Sequence, residues 1–216
     1  MLLEGAALLL LQLLCILIRA LYIIVKPRPL RPAGPVKTMI VLGSGGHTAE
    51  MLMLVEGMDK AFYTPRVYVA AETDKMSAKR AFSREQTWSG SQDTPACVSV
   101  EVIPRSREVG QSYITSVFTT LYSLLFATRM VLRHRPQLVL VNGPGTCIPV
   151  CAMAFVNRLL FLSDCRILYV ESIARVRKLS LSGYILYFSR VADQFFVQWP
   201  ELLARFPRST YAGRLY

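Results

Sequence analysis

"MIVLGSGGHTAE", Met39 to Glu50, runs from an apolar segment through three glycines into a histidine. The apolar run reads as a buried strand. "HTAEMLMLVEGM" after it reads as a helix, with Met51, Leu52, Leu54 and Val55 apolar. A strand that passes through glycines into a helix opens a βαβ unit. Glycine allows positive φ and close backbone approach, so such a loop can lie against a ligand. Amides at the start of the helix favour an anion such as pyrophosphate. A P-loop is excluded because no Gly-Lys-Ser/Thr follows, and the dinucleotide pattern fails because Thr48 stands where its third glycine belongs. Gly43, Ser44, Gly45, Gly46 and Thr48 are thus candidate ligand contacts. His47 either caps the backbone or, with a tunable pKa at a strand end, takes a hydroxyl proton.

The same alternation continues outward from this stretch. "RVYVAAE", "CVSVEVIP", "QLVLVNGPG", "RILYVES" and "DQFFVQW" read as further strands, with helices between them and a polar loop at 86–95. Short Val/Ile/Leu-rich strands alternating with helices predict an α/β fold, one Rossmann-like doubly wound parallel sheet of about six strands. A long helix is expected from about Tyr113 to Arg135, stopped by Pro136. Its Val117, Leu121, Leu124, Leu125 and Thr128 form a stripe expected to cover the sheet. Phe118, Tyr122 and Phe126 form a second stripe, extended by Arg129 and Arg133, which is either buried against protein or laid in a membrane interface.

In such a sheet, ligands bind at the carboxyl ends of strands where the strand order reverses. Two later loops join the first there. "NGPGT" supplies Asn142, Gly143, Pro144 and Gly145, either as a bare turn or as backbone shaped to sit close to a ligand. "ESIARVRK" supplies Glu171 at a strand end, Ser172 as the cap of a following basic helix, and Arg175 facing an anion or water. The convergence of three loops on one edge carries more weight than any of them alone.

The N-terminal "AALLLLQLLCILIRALYIIV", 6–25, is long enough to cross a hydrocarbon core, interrupted only by Gln12 and Arg19. It lacks the basic start and small-residue exit of a cleavable signal. The basic residues Lys26, Arg28, Arg31 and Lys37 follow it, so residues 1–5 are expected in the lumen and the rest in the cytosol. Residues 26–36 read as a proline-rich spacer and 37–216 as the Rossmann-like domain. Five cysteines with no paired ligand spacing predict reduced thiols and no metal site. The net charge of +11 suits anionic lipid or a pyrophosphate-bearing substrate. No nucleic-acid recognition motif accompanies it, so no nucleic-acid partner is expected.

The strand, the G-x-G-G-H loop, the later N-G-P-G loop and the acidic residue after the fifth strand resemble the acceptor half of a GT-B glycosyltransferase. With the N-terminal anchor, "GSGGHT", "NGPGT" and "YVESIARV", the whole chain resembles the membrane-anchoring subunits of the UDP-N-acetylglucosamine transferase that assembles dolichol-linked oligosaccharide, the precursor of N-glycans. That resemblance implies a GT-B N-terminal-half fold and no cofactor. It also implies an endoplasmic reticulum membrane location and inverting transfer of N-acetylglucosamine to N-acetylglucosamine-pyrophosphate-dolichol, with a cytosolic donor-binding partner. His47 or Glu171 is the implied base, and the residues read here do not choose between them. Gly43 to Gly46, Thr48, Asn142 to Gly145, Ser172 and Arg175 are implied to face the acceptor, and Leu215 and Tyr216 the partner. The chain is expected to be inactive without that partner. The other readings weighed are an anchored NAD(P)-dependent oxidoreductase, for which the domain has no Tyr-x-x-x-Lys pair, and a non-catalytic recruiting scaffold.

Overall fold

The computed structural model describes residues 2–25, 34–90, 96–107 and 110–215. The expected spacer lies outside the described residues as far as 33, as does Tyr216. Helix α1 runs Leu2–Val25. Six strands follow: β1 Thr38–Val41, β2 Arg66–Ala71, β3 Val98–Ile103, β4 Leu138–Val141, β5 Arg166–Val170 and β6 Gln194–Phe196. Between and after them come α2 Gly46–Glu56, α3 Lys75–Ser89, α4 Tyr113–His134, α5 Cys147–Leu159, α6 Leu181–Phe188 and α7 Pro200–Arg205.

All six strands pair in parallel in the order β3-β2-β1-β4-β5-β6. β1 and β4 lie side by side, with Thr38 opposite Leu138 and Val41 opposite Val141. The chain winds away from β1 in one direction through β2 and β3, then in the other through β4 to β6. The loops after β1 and β4 therefore flank the crevice where ligands bind in such sheets. β1 and β4 are buried along their length, which is why they read as continuous apolar runs.

Alternate strand residues feed two cores. Met39, Val41, Val139, Val141, Ile167 and Tyr169 pack under α4, α5 and α6. Ile40, Leu42, Tyr68, Leu140 and Val170 pack with Met51, Leu52 and Val55 of α2 and Ala81 of α3. α3 is fastened to the sheet by a buried ion pair. Arg66 of β2 donates to both Glu85 oxygens at 2.7 and 2.8 Å, and Tyr68 donates to the same carboxylate at 2.6 Å. Removing one partner would leave the other charge buried and alone, at about 3–5 kcal/mol.

α4 departs from expectation. It starts at Ser112, whose side chain caps the Thr115 amide, but it turns small and polar residues inward. Ser116, Ser123, Ala127, Met130 and Val131 are buried. Val117, Leu121 and Leu125, expected to cover the sheet, are more than half exposed, together with Phe118 and Tyr122. Ala127, Met130 and Val131 join the core shared with α5 and the sheet. α4 is long and apolar enough to cross a membrane, yet one face is committed to the sheet.

A second departure follows β5. The expected basic helix over 172–178 is a series of turns, and the helix begins only at Leu181. Its cap is Ser180, whose hydroxyl accepts from the Gly183 amide, so the capping role assigned to Ser172 is corrected. The basic run has no apolar spacing to bury a helix face, whereas Leu186 and Tyr187 of α6 do bury one.

Candidate functional site

The loops after β1, β3, β4 and β5 enclose a cavity of about 400 Å³ at the carboxyl edge of the sheet. Ser44 and His47 line it from the first loop and Gly143, Pro144 and Gly145 from the fourth, with Arg175 on the far wall. Arg105 and Arg107 line it from the end of β3. Arg105 donates to the Ser44 hydroxyl at 3.0 Å, and Arg107 reaches the Gln111 carbonyl at 2.9 Å. Three guanidinium groups thus line one cavity, a chemistry suited to an anion. Ser182 and Leu181 of α6 complete the rim.

The glycines divide into two kinds. A side chain at Gly143, where φ is 62°, would strike the His47 ring, its Cβ lying 2.8 Å from Cε1. One at Gly43 would meet His47 Cβ at 2.7 Å and Pro144 Cβ at 2.9 Å. These two glycines make room for His47 rather than for a ligand. Gly45, Gly46 and Gly145 face open space, and Gly45 adopts φ 63°. Thr48 is fully buried, bonded to the Gly43 carbonyl and 2.5 Å from Ser77 of α3. It holds the loop and does not line the cavity.

His47 sits in the first turn of α2 with Glu50 one turn on, the spacing that places both on one helix face. Its Nδ1 lies 2.8 Å from Asn142 Oδ1. Asn142 Nδ2 donates to Glu50 Oε2 at 2.9 Å, and Ser172 Oγ donates to Glu50 Oε1 at 2.8 Å. The chain of bonds assigns the tautomer. An ionised Glu50 only accepts, so the Asn142 amide turns its NH₂ to Glu50 and its oxygen to His47, and Nδ1 carries the proton. Nε2 then presents a lone pair, and nothing among the described residues bonds to it. Glu50 Oε2 is 3.7 Å from Nδ1, beyond hydrogen-bond reach, so its direct pull on the ring is electrostatic. That pull raises the His47 pKa above 6.5 against the lowering effect of burial, with Asn142 assisting. Burial works to raise the Glu50 pKa, but His47, Asn142 and Ser172 outweigh it and hold the carboxyl low.

Glu171 is placed differently. It is fully buried and does not reach the cavity. Its carboxylate accepts from the Ser172 amide at 3.0 Å, the Ser180 amide at 2.9 Å, and the Tyr169 and Ser180 hydroxyls, both at 3.2 Å. Burial raises its pKa in spite of these donors. This carboxylate ties the start of α6 to the end of β5. Ser172 likewise acts behind the wall, through Glu50. At the other end of the chain, Leu215 is tucked against the sheet beside Leu168 and Phe196, its amide bonded to Gln198 at 2.9 Å.

The model of the family described as "oligosaccharide biosynthesis protein Alg14 like" matches residues 38–215, from the first residue of β1 to the tail. The chain belongs to this Alg14-like family. Two relatives cover nearly its whole length. The UDP-N-acetylglucosamine transferase subunit ALG14 of Rattus norvegicus is 47% identical over 93% of this chain and 92% of its own. That of Mus musculus is 46% identical over 94% of each. Among solved structures, Acinetobacter baumannii MurG superposes with a TM-score of 0.55 at 18% identity, over 83% of this chain and 46% of that one. At that identity the likeness concerns the fold, which matches the GT-B half expected.

The Alg14-like chain brings together His47, the two glycine loops and Arg175, as the sequence predicted. Arg105 and Arg107 were missed, although "IPRSRE" sets a basic pair at the carboxyl end of a predicted strand. Glu50 was missed too, and its signal was the spacing from His47. Among the described residues no cluster of His, Cys, Asp and Glu could hold a metal.

Proposed function

We propose that this UDP-N-acetylglucosamine transferase subunit holds the N-acetylglucosamine-pyrophosphate-dolichol acceptor in the carboxyl-edge cavity. In this reading α1 anchors it in the endoplasmic reticulum membrane, N-terminus lumenal and domain cytosolic, and a cytosolic partner brings the UDP-linked donor. The observation that carries the proposal is that His47, with its unbonded Nε2, lines the same cavity as Arg105, Arg107 and Arg175. The acceptor's pyrophosphate takes the guanidinium groups and the open backbone at Gly45, Gly46 and Gly145. Its sugar hydroxyl lies at His47. Nε2 takes the hydroxyl proton as the oxygen bonds to the anomeric carbon of the donor. The bond to UDP breaks, and the configuration inverts. Asn142 and Glu50 hold the ring and stabilise the imidazolium that forms. Glu171 positions the α6 wall rather than serving as the base.

The polyprenyl chain leaves the cavity over α4. The loop bearing Arg105 and Arg107 is stapled to that helix, Thr119 donating to the Ser106 carbonyl at 2.6 Å. The exposed Ile114, Val117 and Phe118 begin there. In this reading the second stripe of α4 lies in the membrane interface. The partner docks on the sheet face beside Leu215, where Leu54, Met58, Leu168 and Phe196 line an apolar cavity of about 200 Å³. Tyr216 belongs to the same proposed contact.

The test uses the complex reconstituted with its partner in vesicles. Arg105→Ala and Arg175→Ala should each raise KM for the lipid-linked acceptor about tenfold, as for one charge-assisted bond, and leave KM for the sugar nucleotide alone. An effect confined to the sugar nucleotide would assign the cavity to the donor and end this proposal.

A further inference from the structure

We infer that the turn Leu160–Phe161–Leu162, at the end of α5, inserts into the cytosolic leaflet beside the anchor; this rests on the proposed reading of α1 as a membrane anchor. α5 ends in a hydrogen-bond pattern that ordinarily calls for glycine. The Leu162 amide reaches back to the Asn157 carbonyl at 2.8 Å and the Phe161 amide to the Arg158 carbonyl at 3.4 Å, with Phe161 left-handed at φ 60°. A bulky residue is strained in that conformation. Burial does not offset the strain, because Phe161 is 67% exposed and its neighbours Leu160 and Leu162 are 47% and 46% exposed. Three adjacent apolar side chains on a strained turn gain nothing in water, and each gains when the surrounding medium is hydrocarbon.

The depth follows from α1. Arg19 donates through Nε to the Arg158 carbonyl at 2.7 Å, and its guanidinium stacks 3.5 Å from the centre of the Phe161 ring. Among the described side chains in this half of the helix, Ile16, Arg19, Ala20 and Ile23 are the partly buried ones, a stripe at helical spacing turned to the body. From Arg19 to Val25 the helix rises about 9 Å. The turn that meets Arg19 is therefore about that far inside the cytosolic end of the span, within the roughly 5–10 Å reached by interfacial helices. The contact also answers for a charge inside an apolar segment. The guanidinium meets the negative end of α5 and an aromatic face instead of lipid tails.

The experiment keeps the full chain, reconstituted in phosphatidylcholine–phosphatidylserine vesicles with lipids brominated on their acyl chains, one set near the carbonyl and one near the chain end. Phe161→Trp and Leu162→Trp each add one emitter to Trp88 and Trp199, and Leu13→Trp marks the middle of α1. The added emission at position 161 or 162 should be blue-shifted and quenched by the brominated lipid, as at position 13. Quenching at position 13 with none at 161 and 162 would overturn the inserted turn and spare the anchor. Absence of quenching at position 13 would overturn the anchor and the inserted turn together.

Discussion

The chain has two histidines, each beside a glutamate, and the two pairs are built differently. His134, in the last turn of α4, puts Nε2 2.6 Å from Glu101 on the edge strand β3, with Arg133 3.6 Å from the same carboxylate. That ring is spent on a direct hydrogen-bond contact that fastens a helix end. His47 keeps its glutamate at one remove. Asn142 stands between them, takes up Nδ1 and leaves Nε2 toward the cavity. The His134 ring has Nε2 taken by the carboxylate itself, whereas His47 reaches Glu50 through an amide and keeps its Nε2 unbonded among the described residues. The pairing of residue types is the same, and the geometry separates the roles.

The comparison breaks most sharply at His47→Ala. In the reconstituted complex, turnover is expected to fall about 10²–10⁴-fold, the usual worth of a general base, with little change in thermal midpoint. Gly143→Val should also cut turnover by displacing the ring it would strike, and, forced into φ 62°, should lower the midpoint as well. Turnover near that of the parent for both variants would leave His47 a helix-start residue. Glu171→Ala should act through folding instead. It strips the partners from two buried amides and two hydroxyls, at about 1–3 kcal/mol for each group left unsatisfied. A detergent-solubilised melt should show a large drop, and an unchanged midpoint with lost turnover would return the base role to Glu171.

Glu50→Gln tests the remote carboxylate. A base must be unprotonated, so turnover should rise with pH through a value above 6.5. Removing the charge that raises the His47 pKa moves this acid limb to lower pH. The same raised pKa makes a stability contribution that is fully present below pH 6.5 and lost as pH climbs through the folded value, and Glu50→Gln should shrink it. The maximal rate should drop about tenfold, the equivalent of ~1.4 kcal/mol. Glu101→Gln should leave the pH profile where it was, and a shift there would dissolve the distinction between the pairs. Ser172→Ala, which removes one bond from Glu50, should slow turnover only a few-fold, about 0.5–1.5 kcal/mol. His134→Ala should cost about 1 kcal/mol of stability or less, with turnover unchanged.

Much of this was legible before any coordinates. The β1 and β4 runs are apolar at every position because both faces of a parallel strand are covered, and the glycines beyond them mark the crossing into a helix. Those local facts determined the α/β class, the strand count, and the gathering of the glycine loops and His47 at the carboxyl edge of the sheet. What the sequence could not decide were questions of facing and of neighbours. One apolar stripe on α4 was expected to cover the sheet, but Ser123, Ala127, Met130 and Val131 are the residues buried there, leaving Leu121, Leu125 and Phe118 outside. Glu171 stood at the right strand end to be a base, but its oxygens are claimed by Ser172 and Ser180 and sealed behind the wall. Arg105 and Arg107 joined the site only because β3 lies two strands from β1 in the same parallel order. Periodicity is a property of one segment, and the chain carries it openly. Which face is buried, and which lone pair is left unbonded, depend on residues far apart in sequence, so only the folded arrangement settles them.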